Sequence, residues 1–417
     1  MGEYVTAMRP LPAVGVILLV VASVAAPAAG FDTPSQTADG SDQLPQITVV
    51  DNTTNHLSIP ASEVQSTTYN RSSLDVGVAV AAGSRELRND YAATNFEQRF
   101  FQRDSEAARD RLVDETLDDI EARQTSLERR NQRAIRQYAD GIITATEFLR
   151  QRALVDAESR QLGTRLERIR TAAGTAPGYS LSQDQRFRLE NNRGVLETYR
   201  GPISQRVSAE IAGATEPNAV YLEASSEGYM LSTVADNQYT RETYLGTERD
   251  RDATDQFAQT DDSLNAVNTR AGELYPWLYS EQYPAVQTYG RSAIYEIQAN
   301  HPNGQLTAYL DGGTTNVFFE TQHLELTTIS RSEVVTNVNQ SARIRIQRSF
   351  ESGPLLVTVT DNSTDSTANA TVRINGKRIG TTGPDGALWT VEPRGEYTVT
   401  ATTQDGERVR VLIGRSV

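Results

Sequence analysis

The stretch from Ser105 to Thr171 constrains the fold most. Val113, Leu117, Ile120, Leu127, Ala134 and Tyr138 recur at spacings of three, four and seven. Phe148, Val155, Leu162 and Ile169 follow at intervals of seven, with Leu166 between the last two. Apolar residues at such spacings share one face of a helix. Between the two runs stands Asp140-Gly141, where Gly supplies the left-handed conformation that ends a helix. Thr144-Ala145-Thr146-Glu147 then reads as a capping box. Neither stripe is stable in water, so the pattern predicts a long antiparallel helical hairpin with coiled-coil packing over residues 84–175. Leu87, Tyr91, Phe96, Phe100 and Phe101 predict a helix at its base. Arg160 lies off the stripe and reads as a solvent-facing position.

The chain has no Cys, which excludes disulfides, thiolate metal sites, cysteine nucleophiles and a lipid-modified cysteine. Its net charge is −14, and Lys377 is the only Lys. An acidic chain lacks the basic face that nucleic acid requires. Hydrated carboxylates with few Lys suit solution in concentrated salt, where charge repulsion is screened. A GC-rich genome that favours Arg codons would give the same Lys count.

Arg9 precedes an apolar run from Leu11 to Val24, and Ala26-Pro27-Ala28 follows. A basic flank, an apolar core and small residues form a secretory signal over residues 1–30, with cleavage expected near Ala28. The alternative is an uncleaved anchor, since a span needs about 20 apolar residues. The localisation expected is therefore extracellular or cell surface, with membrane contact only if this segment is retained. Asn52, Asn70, Asn339, Asn362 and Asn369 begin Asn-x-Ser/Thr triplets and are candidate N-glycosylation sites. Asn362 and Asn369 bracket a polar run that reads as an exposed loop.

Residues 31–83 read as a flexible leader and an extended arm, in which Leu74, Val76, Val78 and Val80 alternate like a strand. Residues 176–352 read as an α+β domain. It has helices near Ser182 and Pro202, strands over 219–224 and 229–234, and a helix over 257–274. A meander then turns at Asn303-Gly304 and Asp311-Gly312, with segments 334–338 and 342–346 as extensions. Residues 353–417 alternate in short strands between Asn375-Gly376, Asp385-Gly386 and Asp405-Gly406 turns, which predicts a β-sandwich that folds alone. The fold class expected is α+β, multidomain.

Two resemblances follow. Val372-Arg-Ile-Asn-Gly376, Thr382-Gly-Pro-Asp-Gly386 and Val391-Glu-Pro-Arg-Gly-Glu-Tyr-Thr-Val-Thr-Ala401 resemble the carboxypeptidase-regulatory-like domain. That resemblance implies a transthyretin-like, Ig-type sandwich used in packing or adhesion. The remainder resembles secreted haloarchaeal proteins of unknown function. It does so through Tyr138-Ala-Asp-Gly141, Glu147-Phe-Leu-Arg150, Gly201-Pro202, Leu306 to Thr314 and Val317-Phe318.

No catalytic residue, cofactor site or metal site is assigned. No Gly-x-Ser-x-Gly elbow occurs, and no phosphate-binding Gly loop precedes a helix and Lys. His301, Asp311, Glu320 and His323 lie on neighbouring strands of the expected meander, but at no diagnostic metal spacing. His56 has no sequence partner. Tyr275, Trp277, Tyr279 and Tyr283 read as core packing before sugar stacking. The carboxylates of Asp250–Asp262 lack the pattern of a calcium loop. The expectation is a non-enzymatic envelope protein with a structural, adhesive or interaction role, its partners envelope proteins or glycans. The alternatives are a secreted hydrolase with its site in the α+β domain and a membrane-anchored sensory ectodomain.

Overall fold

The computed structural model describes residues 47–50, 54–279, 284–331 and 333–414. The N-terminal signal or anchor and Asn52 lie outside them. Among the described residues no helix is long and apolar enough to cross a membrane.

Strands β1 (Ile47–Thr48) and β2 (His56–Leu57) pair and lead into β3 (Ser66–Arg71). Helix α1 (Val76–Phe101) follows. The alternation at Leu74–Val80 is therefore not an extended arm. The Asp75 carboxylate accepts from the Val78 amide at 3.0 Å and starts a helix there, and Ala79 and Ala82 are strong helix formers.

Helices α2 (Glu106–Ala139) and α3 (Ala145–Thr175) run antiparallel, crossing through Arg152–Asn131 and Arg165–Asp119 side-chain bonds. The residues of both sequence stripes are buried. Gly141 takes φ 70° at the turn. Only half of the expected capping box forms. The Glu147 amide donates to Thr144 Oγ1 at 3.2 Å, but the Glu147 carboxylate accepts from Arg150 and Gln151 instead. The closed box is at Ser182 with Gln185, opening α4 (Gln183–Glu197). Helix α5 (Pro202–Ile211) carries Pro in its first turn. Because α1, α4 and α5 all pack on α3, the pair is enclosed in a bundle and does not project.

Strands β4 (Ala219–Ala224), β5 (Gly228–Ala235) and β6 (Gln238–Leu245) form one meander. After α6 (Ser263–Leu274), strands β7 (Ala285–Thr288), β8 (Ile294–His301), β9 (Gly304–Asp311) and β10 (Val317–Glu325) form a second. β6 pairs with β10, so the two join in an eight-stranded antiparallel sheet, β3-β4-β5-β6-β10-β9-β8-β7. Its alternating side chains feed two cores. Val220, Leu222 and Leu231 meet α3 and α5, while Tyr221, Met230 and Tyr239 face the opposite side.

That opposite side is covered by the β1–β2 pair, by α6 and by a sandwich. The sandwich comprises β11 (Glu333–Val338), β12 (Ala342–Arg348), β13 (Pro354–Asp361), β14 (Ala370–Ile374), β15 (Lys377–Thr381), β16 (Ala387–Val391), β17 (Tyr397–Thr403) and β18 (Arg408–Ile413). Its sheets are β11-β12-β13-β16 and β15-β14-β17-β18. The boundary at residue 353 is corrected to 333. Ile344 and Ile346 of β12 pair with Val359 and Val357 of β13 and lie wholly inside the sandwich, so these strands do not extend the meander.

Candidate functional site

The centre of the large sheet carries charge into both cores. On the helical side Glu242 of β6 is fully buried. It accepts from Ser204 Oγ and Tyr229 OH, each at 2.9 Å, and from the Ser204 amide at 3.2 Å, at the start of α5. A carboxylate there also meets the positive end of the helix dipole. Arg152 reaches Glu242 from α3 at 3.4 Å, and its guanidinium lies 4.7 Å from the Tyr229 ring centroid. One turn along, the buried Asp156 accepts from the Gly201 amide at 3.0 Å and from Arg160 at 2.8 Å. Arg160 is thus tied to a buried carboxylate, unlike the free surface position its sequence offset suggests.

On the opposite side Glu223 of β4, also fully buried, accepts from Ser352 Oγ at 2.8 Å and Tyr221 OH at 3.0 Å. Arg394 of the sandwich holds the same carboxylate through Nε and Nη2, the latter at 2.9 Å, and its own amide donates to Tyr221 OH. Tyr239 OH donates to the Ser352 carbonyl at 2.7 Å, and Tyr69 OH to the Val391 carbonyl. His56 packs on Phe350 in the same seam, and burial holds its imidazole well below the usual range, helped by Arg241 and Arg394. Buried Glu320 accepts from Tyr275 OH, the Leu57 amide and Gln322, and burial pushes it up to about 7.

The four residues weighed for a metal separate. Glu320 points into the seam, whereas His323 bonds Thr240. His301 lies edge-on to Trp277, its imidazole lowered to about 4 by burial, and Asp311 accepts from the Asp250 and Thr314 amides. Among the described residues no group of three or more His, Asp or Glu could hold a metal. Tyr275 is wholly buried on Glu320 and so not open to stacking; Tyr283 lies outside the described residues. Asp255 and Asp262 cap the turns that begin at Phe257 and Ser263.

The candidate glycosylation sites also differ. Asn70 is half-buried in β3, its Oδ1 accepting from Thr146 Oγ1 at 3.2 Å and its Nδ2 turned away from solvent. Asn339 uses its Nδ2 on the Arg408 carbonyl and its Oδ1 on two turn amides. Asn362 and Asn369 lie in the loop between β13 and β14, where Asn369 is exposed.

Among the described residues, hollows open to solvent include three of moderate size. One of about 330 Å³ between α1, α2 and α3 is lined by Arg88, Arg123, Arg130 and Glu158. One of about 420 Å³ lies along β8 and β9. One of about 210 Å³ separates β3 and β5 from the sandwich, lined by Arg71, Arg378 and Trp389. In the first, Arg130 is taken up by Glu158 and Arg123 by Asp119.

Arg152, Glu242, Glu223 and Arg394 did not stand out in the sequence. Arg152 carried a signal, because with Ser159 and Leu166 it fills the second core position of the heptads begun by Phe148, Val155 and Leu162. A charge at such a position implies a buried partner.

These features define an α+β protein whose helices cover one face of a large sheet and whose Ig-like sandwich is set into the other. The chain belongs to the family described as a domain of unknown function, DUF7096, whose model matches residues 8–216. Residues 220–330 match a family of unknown function, DUF7094, and residues 333–410 an archaeal fibronectin-III type-like domain. The last match replaces the carboxypeptidase-regulatory-like resemblance while keeping an Ig-like sandwich. No curated protein and no solved structure matches the chain. The matched regions are not separate bodies: β3 of the first pairs with β4 of the second in one sheet.

Proposed function

We propose that this is an exported, non-enzymatic protein of a haloarchaeal cell envelope, acting as a rigid interaction or adhesion module. The observation that carries this reading is the fixed presentation of the fibronectin-III-like sandwich. The Glu223–Arg394 pair and a continuous apolar core lock it to the sheet, so its outer strands and the β13–β14 loop have one orientation relative to the helices. An adhesive or scaffolding part needs such rigidity, since ordering a loose domain costs affinity. The apolar run after Arg9, the acidic and Lys-poor composition, and the exposed Asn369 triplet support export into a salty medium.

Expression of a tagged full chain in a haloarchaeal host tests the reading. Surface labelling of intact cells should reach it, and mass spectrometry should find a mature start near Ala29. A Met1-initiated chain confined to the cytoplasm would overturn it.

A further inference from the structure

Helix α1 is only half engaged. Its C-terminal half inserts Ala93, Phe96 and Phe100 into the bundle. Further back, Val76, Val80, Leu87 and Tyr91 are 63–72 % exposed. Their spacings of four, seven and four place them on one stripe of the helix. Single exposed apolar residues need no explanation, but a contiguous stripe marks a contact surface.

The stripe has internal symmetry. Val80 and Leu87 are equally distant from the Gly83–Ser84 peptide, and so are Val76 and Tyr91. A Cβ at Gly83 would meet nothing within 4 Å. Gly inside a helix is less favourable than Ala, and packing around this position gives no reason for it. A small residue at the centre of a helix crossing lets two backbones approach closely. Charge is arranged to match. Residues 76–84 contain no ionisable side chain, whereas Arg85, Glu86, Arg88 and Asp90 follow directly. In an antiparallel pair, the charged segment of each helix lies along the uncharged segment of the other. In a parallel pair, like charges would stand side by side.

We propose that α1 is a self-association surface and that its occupant is a second copy of this chain. The two α1 helices cross antiparallel about a two-fold axis at Gly83–Ser84, with Val80 against Leu87 and Val76 against Tyr91. Such an isologous contact closes as a dimer. The contact is apolar, so concentrated salt leaves it intact. This inference stands apart from the export reading.

The test uses the full chain in molar salt, followed by sedimentation across the micromolar range. The parent should pass from monomer to dimer. Leu87→Glu should stay monomeric and should melt like the parent at dilutions where the parent is itself a monomer. Gly83→Leu should also stay monomeric while melting no lower, because it improves helix propensity but blocks the crossing. The chain lacks Cys, so single replacements report orientation. Ser84→Cys, at the axis, should cross-link to itself under mild oxidation, and Val76→Cys should not. A parent monomeric throughout, a dimer that survives Gly83→Leu, or equal cross-linking at 76 and 84 would each overturn the proposal.

Discussion

Arg152 and Glu242 meet 3.4 Å apart in a region closed to solvent, one from a helix and the other from the middle of the sheet. The pair links the region matched by DUF7096 to the region matched by DUF7094. Removing one partner strands a buried charge, which costs about 3–5 kcal/mol. Arg152→Ala should therefore lower stability by that order, in thermal melts at molar salt. Adding Glu242→Gln to Arg152→Met should recover part of the loss, because neither charge is then left alone. A double-mutant cycle with no coupling would show that the pair contributes nothing beyond packing.

The matching link on the other face is Arg394 with Glu223. Arg394→Ala should cost a similar amount, about 3–5 kcal/mol, and should loosen the sandwich. Limited proteolysis is expected to cut between β10 and β11 sooner than in the parent. Arg394→Lys should fall between the two, since a single ammonium cannot bond the carboxylate as the planar guanidinium does.

The revised sandwich boundary gives a separate test. Residues 353–417 lack β12, whose Ile344 and Ile346 fill the core beside β13. That fragment should show no cooperative melt. Residues 333–414, with every strand of both sandwich sheets present, should show one in molar salt. The opposite ranking would restore the boundary read from sequence.

Local chemistry made much of the fold legible. The stripes of α2 and α3, the turn at Gly141 and the Asn303-Gly304 hairpin all declare themselves within a few residues. β6 did not, because its buried Arg241, Glu242 and Thr243 erase the apolar alternation that marks a strand. Its turn was readable in principle, since Asp236 and Asn237 both adopt positive φ, as a two-residue hairpin turn demands. The start of α1 carries no deciding local pattern, because Val76, Val78 and Val80 alternate in sequence whether they line a strand or wrap a helix. β11, β12 and β13 pair as consecutive hairpins, but the facing sheet that makes them part of the sandwich comes from β14, β15, β17 and β18 further along, so no local pattern separates them from the preceding meander. The polar seam was illegible for the same reason: Glu223 and Arg394 are 171 residues apart.

Gly201 and Gly174 should respond oppositely to Ala. A Cβ on Gly201 would run into the Glu242 carboxylate, which is held by Arg152, Ser204 and Tyr229 and cannot retreat. Gly201→Ala should cost roughly 1–3 kcal/mol through overpacking. Gly174 lies within α3 with nothing within 4 Å of its Cβ position. Gly174→Ala should stabilise by about 0.4–1 kcal/mol, by restricting the unfolded chain. Melting temperatures of the two variants against the parent decide it.

Glu320 sets the last expectation, a pH dependence. Its carboxyl rises from 4.5 to about 7 in the folded protein, mainly through burial, with Tyr275, the Leu57 amide, Arg241 and Gln322 opposing the rise. Below pH 4.5 the group is protonated in both states and adds no slope. Between 4.5 and about 7 the unfolded chain ionises while the folded protein resists, so stability falls as pH rises. Above that window the loss is constant, on the order of 2–4 kcal/mol. His56, His301 and His323 act in the opposite sense. Burial lowers all three, so they withdraw stability as pH falls below 6.5. The total curve therefore mixes two slopes, and the difference between parent and Glu320→Gln isolates one of them. Chemical denaturation at fixed molar salt, from pH 4 to 8, should show Glu320→Gln gaining on the parent as pH rises. A difference that stays flat across that range would mean that Glu320 titrates like an exposed carboxylate. The buried seam among β2, α6 and β10 would then be open to water.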